Sequence, residues 1–334
     1  MIGTLEKYIL DRWKDLLSDH EKPNELSFIL ISDLPPHMEV VSFLIIPKGG
    51  FEPILTAKIP RYISNNDKLR KKVECVCRLK EQLPAHLSCS IPAMINMTEI
   101  NGRLMILEQP VPMPTVGLKV KRSGTSSHFL NKIDRLGVIG DWLSDFFMTT
   151  RQPTADQNLA QRILSTLDEY EDRFLPEPLQ KKWLDKMRLK LINKKHIPYL
   201  GVVHTNLTPD QVSFHRQRLY ISNWENMVEK GFPLLDSFHF ATSLALHGVR
   251  KVTEAKDRFL LAVLNTGGTG ILWSSWINNS RTALKIKETT RNLLYAFYLV
   301  DRALIWNEFE TVENYWPQLF GLYVSWLNQT DFNL

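Results

Sequence analysis

The sequence predicts an α+β fold in two lobes, a small β-rich lobe with one main helix and a larger, mostly helical lobe. Three observations carry this. Short runs rich in β-branched and aromatic residues fill 26–108, the proline-rich segment QPVPMPTVG interrupts the chain at 109–117, and helical periodicity dominates 118–334. With 334 residues and 44% hydrophobic content, the chain is long enough to give each of two bodies its own core.

Residues 1–25 open the chain as an amphipathic helix, with Ile2, Leu5, Ile9, Trp13 and Leu16 on one face and Pro23 just past its end. Three strands follow in LSFILI, EVVSFLII and EPILTAKI, separated by Pro35-Pro36 and Gly49-Gly50, so they are expected to pair antiparallel through tight connections. NDKLRKKVECVCRLKEQL reads as the main helix of this lobe, ended by Pro84. AMINMTEI and GRLMILEQ meet at Asn101-Gly102, a favourable hairpin turn. Segment 109–117 reads as a hinge. Beyond it, HFLNKIDRLGVIGDWLSDFFMTT, NLAQRILSTLDEYEDRF and PLQKKWLDKMRLKLI each show the helical period. Two short strands within 201–226 interrupt the helices, which resume at LLDSFHFATSLAL.

The first residues carry Glu6, Lys7, Asp11, Arg12, Lys14 and Asp15, which leaves no uninterrupted signal-peptide core. No window reaches the roughly 18 apolar residues of a membrane span, so a cytoplasmic protein is expected. Cys75, Cys77 and Cys89 are too few for a disulfide framework and lack zinc-finger spacing, which points to buried thiols. The net charge of +5 is concentrated in QKKWLDKMRLKLINKKH at 180–196. This stretch is either the solvated face of a helix or a contact for an anionic partner. Its Trp183, Leu184 and Leu189 are read as the buried side of that helix, and no helix-turn-helix or RNA-binding signature accompanies it.

The chemistry-bearing residues stand in a fixed order: Lys58 in a strand, Glu74 in the following helix, and then the segment 204–225. A strand-borne lysine can contact nucleotide phosphates, and a helix-borne carboxylate can hold it by a charge-assisted bond. The later segment reads His204-Thr205-Asn206-Leu207-Thr208-Pro209-Asp210-Gln211, then Ile221-Ser222-Asn223-Trp224-Glu225, then Gly231-Phe232-Pro233-Leu234-Leu235-Asp236. In these residues the chain resembles the protein-kinase-like superfamily, on the branch of aminoglycoside phosphotransferases and choline kinases. That branch carries H-G-D-x-x-x-x-N, a hairpin, I-D-W-E, and a G-x-P-x-x-D-L stretch. The resemblance extends from about residue 26 to the end of the chain, and its discriminating motifs lie in 201–247.

The resemblance implies that Lys58 binds phosphates, that Glu74 orients Lys58, that His204 shapes the catalytic loop at 204–211, and that Asp236 braces that loop. It also places Asn206 at the catalytic aspartate, Gln211 at the metal-binding asparagine and Asn223 at the metal-binding aspartate, and all three depart from the pattern. An amide accepts a hydrogen bond but has essentially no basicity near neutral pH. Asn223 removes a formal charge from a divalent-cation site, and Gln211 displaces a ligand by one methylene in a shell that demands near-octahedral geometry. Asp210 and Glu225 are the neighbouring carboxylates available as substitute metal ligands, although Asp210 also suits a solvent-facing or turn-capping role. The turn Ser32-Asp33-Leu34-Pro35-Pro36-His37 replaces a glycine-bearing phosphate loop with two prolines and an acid, which argues against nucleotide in the usual pose. For Lys58 and Glu74 two readings stay open, a retained anion site or a tie between helix and sheet.

Two functions follow as expectations. One is a pseudokinase that binds a protein or metabolite partner. The other is an ATP- and magnesium-dependent phosphotransferase with an atypical site, for which the basic stretch together with Lys119, Lys121 and Arg122 would favour an anionic hydroxyl acceptor.

Overall fold

A computed structural model describes residues 2–31, 40–112, 126–154, 157–192, 197–249, 251–264, 268–307 and 314–330, without the side chains of 126–134, 157–158, 268–273 and 307. The turn at 32–37, Lys119, Lys121, Arg122, Lys194, Lys195 and the hinge residues 113–117 lie outside the described residues. The chain divides into two compact units, the first of Met1–Thr115 with Asp210–Asn226, the second of Val116–Pro209 with Met227–Leu334. A single cut at the proline-rich segment would assign 210–226 to the helical part; its contacts place it with the first unit.

The first unit begins with α1 (Ile2–Asp11) and the short α2 (Trp13–Leu16). β1 (Leu26–Leu30), β2 (Val40–Pro47) and β3 (Leu55–Pro60) lead to α3 (Asn66–Gln82), the turn-length α4 (Ala85–Ser88), β4 (Met94–Ile100) and β5 (Arg103–Glu108). The five strands form one antiparallel sheet in the order β1-β2-β3-β5-β4. Asn101 and Gly102 close the β4–β5 hairpin with φ of 52° and 74°, the left-handed pair that a two-residue turn of this twist requires. Side chains alternate across the sheet. Leu55, Ala57, Ile59, Met105 and Leu107 cluster with Leu5, Ile9 and Trp13 of the N-terminal helices. On the opposite face Leu104 and Ile106 pack on Leu69 and Val73 of α3. Lys58 falls between Ala57 and Ile59, so it points to the α3 side.

The second unit opens with α5 (Ser126–Thr150), β6 (Gln152–Pro153), α6 (Gln157–Phe174), α7 (Pro178–Leu191) and β7 (Tyr199–Val203). The chain then contributes the hairpin β8 (Val212–His215) and β9 (Arg218–Ile221) to the first unit. The Ile221 N–H donates to the Ser90 carbonyl at 2.8 Å, and Arg218 donates to the Cys89 carbonyl. Those bonds fix the hairpin to the turn after α4. β10 (Val228–Gly231) returns to pair antiparallel with β7, and α8 (Leu235–Ala245), α9 (Val252–Ala262), α10 (Gly268–Ala283), α11 (Glu288–Asn307) and α12 (Trp316–Gln329) complete the unit. Its core centres on α11, where every residue from Leu293 to Val300 is buried, as expected of a helix that is apolar all round.

Part of the basic stretch lies on α7, with some of its charges paired. Arg188 pairs with Asp168, Glu171 and Asp185, and the Lys186 ammonium sits 4.6 Å from the Trp183 ring centre. Its buried side is Trp183, Leu184, Met187 and Leu191; Leu189, expected there from the sequence, is 74% exposed. Positions 183, 184, 187 and 191 share a face at helical spacing and 189 does not. Cys75, Cys77 and Cys89 are free thiols and only half-buried, against the expectation of full burial. Among the described residues no helix is long and apolar enough to cross a membrane.

Candidate functional site

The residues singled out in the sequence separate into two clusters, one in each unit.

In the first unit the Lys58 ammonium lies in a cage. Lys58 is 4% exposed, and Nζ pairs with Glu108 Oε2 at 3.0 Å and with Glu225 Oε1. Glu108 reaches it because the sheet register sets Thr56 opposite Glu108 and Ile106 opposite Lys58, which puts Glu108 diagonally across from Lys58 on the same face. Glu225 sits in the single turn Trp224–Asn226 that follows the hairpin. Glu74, assigned by the resemblance as the partner of Lys58, is exposed on α3 and takes no part in the cage. The inward positions of that helix are Leu69, Val73 and Leu79, and 74 faces away from them. Burial alone would lower the lysine, but the Glu108 and Glu225 carboxylates outweigh it and hold the ammonium above its ordinary range. Burial pushes the Glu108 carboxyl up, opposed by Lys58 and reinforced by Glu225.

The three departures are spread over this unit and the next. Asn223 is exposed and adopts φ of 63°, a left-handed conformation that Asn and Asp tolerate better than other side chains. Gln211 closes the turn Pro209–Gln211, and its carbonyl accepts from the Ser222 N–H at 3.0 Å and the Ser222 hydroxyl at 3.3 Å. Asp210 is exposed. Glu225 is committed to Lys58, so the pair Asp210 and Glu225 does not supply a substitute metal shell. Among the described residues no group of three or more His, Cys, Asp or Glu converges to hold a metal ion, and the donors at 211 and 223 are neutral amides. These residues do not fit a tightly held divalent cation.

In the second unit, β7 delivers His204 and Thr205 to Asp236 in the first turn of α8. The His204 N–H donates to Asp236 Oδ2 at 2.7 Å and the Thr205 N–H to Oδ1 at 2.8 Å. Both carboxylate oxygens are thus used to hold the loop backbone, including Thr205 in its left-handed conformation at φ of 68°. His204 itself is buried. The β10–β7 pairing needs Gly231, since a Cβ there would lie 2.0 Å from Val203 Cγ2. That contact accounts for the glycine five residues before Asp236.

Asn206 follows directly, and its side chain is not left pointing into solvent alone. Asn206 Oδ1 lies 3.1 Å from His239 Nε2, and His239 Nδ1 lies 3.0 Å from the Tyr298 hydroxyl. An amide oxygen only accepts, so Nε2 carries the proton and Nδ1 accepts from Tyr298. Burial, with Arg302 and His204 adding to it, holds His239 far below its ordinary range and therefore neutral. Neither His239 nor Tyr298 is foreshadowed by the motif; the only sequence signal is a histidine within the apolar run LLDSFHFATSLAL. Glu108 is likewise unmarked, a carboxylate at the end of an apolar strand.

The neutral His239 sets a pH dependence. Below its unfolded value of about 6.5 the unfolded chain takes up a proton that the folded chain refuses. Folding stability is therefore expected to fall by about 1.4 kcal/mol per pH unit from this group as the pH drops below that point. His239→Gln, which retains a donor for Asn206, is expected to remove that slope, as read by urea unfolding above and below it.

No family model matches the sequence, and no curated protein matches it. Solved structures do. A thermostable mutant of aminoglycoside phosphotransferase APH(4)-Ia, in its apo form, is 12% identical over 98% of this chain and 100% of that chain, with a TM-score of 0.54. The choline kinase LicA from Streptococcus pneumoniae is 11% identical over 98% of this chain and 99% of that chain, with a TM-score of 0.48. The first of these shows the fold. The chain has the kinase-like α+β fold of the aminoglycoside phosphotransferases.

Proposed function

We propose that this chain is a kinase-like protein impaired in phosphoryl transfer, which acts by binding a protein or metabolite partner. The observation that carries the reading is the state of Asn206. Its amide stands where the resemblance expects a general base, and its oxygen accepts a hydrogen bond from a neutral, buried histidine. A carboxylate there would receive the proton of an acceptor hydroxyl; this amide cannot, and His239 behind it is held far from protonation. The loss of such a group costs on the order of 10²–10⁴ in rate. The amides at 211 and 223 weaken magnesium binding independently, so the two deficits compound.

The bracing by Asp236, the return strand β10 and the buried His204 survive without the base. Those features keep the loop shaped, which a binding function requires and a decayed sequence would not. ATP with magnesium is the pair that an active relative of this fold would use. The test is thermal melting of the full chain with and without ATP and magnesium, followed by ADP release in the presence of hydroxyl acceptors. No shift and no turnover are expected, whereas a ligand at 100 times its dissociation constant would add about 2.7 kcal/mol. ATP-dependent phosphorylation of an acceptor by the unaltered protein would overturn the proposal and establish an atypical phosphotransferase instead.

A further inference from the structure

The Lys58 ammonium is already paired with two carboxylates, those of Glu108 and Glu225. A small cavity of about 30 Å³ beside it is lined by Val73, Cys77, Lys80, Glu108, Asn223 and Glu225, room for on the order of two water molecules. Two ammonium groups and two carboxylates share this lining, so their formal charges cancel. Lys80 donates to the Ile91 carbonyl at 2.5 Å, which keeps its head group at the cavity wall. Glu108 belongs to the sheet itself, beside the strand that carries Lys58, and its backbone is held by the β3–β5 ladder. Glu225 differs. It stands on a single turn after the hairpin, one residue beyond an anchoring tryptophan whose Nε1 donates to the Ile221 carbonyl at 2.8 Å.

We infer that Glu225 is the built-in occupant of an anion position in the first unit, a carboxylate that satisfies Lys58 in place of an external phosphate group. The inference rests on the reading above that phosphoryl transfer is impaired, and deepens it by naming the residue that keeps phosphate from Lys58. Withdrawing the Glu225 charge leaves two ammonium groups against one carboxylate around this small cavity, which favours a compact anion. Withdrawing it also frees one face of the Lys58 head group. Phosphate oxygens then compete with Glu108 alone. Glu225 is thus the specificity-determining residue of this position: while it stays, inorganic phosphate compounds and the phosphates of nucleotides are refused.

The test uses the full chain with inorganic pyrophosphate, and separately ATP in the presence of a chelator, read by titration calorimetry and by melting temperature. The unaltered protein is expected to show no binding in the millimolar range. Glu225→Gln, which keeps the side-chain shape and removes the charge, is expected to bind pyrophosphate at least about tenfold more tightly. Lys58→Met in that background is expected to abolish the gain. Glu225→Asp, which keeps the charge and shortens its reach by one methylene, is a second route should the glutamine variant prove poorly folded, and it is expected to bind with intermediate affinity. Equal affinity of the unaltered protein and both variants, or a gain that survives Lys58→Met, would overturn the inference. ADP release is measured on the same samples. Turnover by the unaltered protein would strike the proposed function without touching this inference, and a failed titration with no turnover would strike only this inference.

Discussion

Lys58→Met is expected to destabilise the first unit by about 3–5 kcal/mol, the cost of leaving buried charge without its partner. The Glu108 and Glu225 side chains are 16% and 13% exposed, and both direct an oxygen at the same ammonium. Removing that ammonium leaves two carboxylates facing one another in a site that burial already makes unfavourable for charge. Glu108 is the one expected to yield, because its carboxyl is raised even with Lys58 present. The sign with pH follows. A carboxyl whose folded value is raised costs stability above that value and is relieved as protons bind, so the deficit of Lys58→Met against the unaltered protein is expected to shrink on acidification. Urea unfolding of both proteins at neutral and acidic pH measures it. Adding Glu108→Gln and Glu225→Gln to Lys58→Met is expected to recover most of the loss, since a neutral group in place of each charge removes the penalty. Equal stability of Lys58→Met and the unaltered protein would show that the cage is not a net structural tie.

On the proposed reading, ATP turnover is expected to rise only when residues 206, 211 and 223 and access to Lys58 are changed together. Asn206→Asp, Gln211→Asn and Asn223→Asp, combined with Glu225→Gln, are expected to raise ATP turnover on the order of 10²–10⁴ over Glu225→Gln alone, as read by ADP release. The backbone permits these changes. Asp is as compatible as Asn with the left-handed conformation at 223, and an aspartate at 206 still accepts from His239 Nε2. Asn206→Asp alone is expected to give little, because the cation positions remain amides and Lys58 remains occupied. A flat response of the fourfold variant would show that the block lies elsewhere in the molecule.

Much of the fold is legible in the residues. The β-branched and aromatic runs VSFLII and LTAKIP and the Asn101-Gly102 turn each encode an element through local geometry, and these elements form there. The one helix expected from the spacing of Leu5, Ile9 and Trp13 forms instead as two, Ile2–Asp11 and Trp13–Leu16, although all three side chains are buried as that spacing places them. Leu189 shows the limit. Its neighbours Trp183 and Leu184 are buried, but apolarity alone does not say which side of α7 meets a neighbour, and Met187 and Leu191 take the inward positions.

The site divides along the same line. Covalent chemistry, not geometry, makes residues 206, 211 and 223 amides, so their departure from the pattern the resemblance implies, one base and one anionic metal ligand among them, is readable without coordinates. The bracing role of Asp236 is implied by the resemblance alone, and the backbone N–H groups of His204 and Thr205 do donate to its carboxylate. What a lysine pairs with is another matter. Glu74 stands sixteen residues from Lys58 and Glu225 stands far along the chain, and charge attraction has no memory of sequence distance. The register of β3 against β5 and the docking of the 210–226 excursion bring Glu108 and Glu225 to the ammonium, while the facing of α3 turns Glu74 to solvent. His239 reaches Asn206 in the same way, through the packing of α8 and α11. The sequence by itself determined that residues 206, 211 and 223 carry amides; only the tertiary structure decided which side chains meet Lys58 and Asn206, because partner choice among buried polar groups depends on packing in three dimensions.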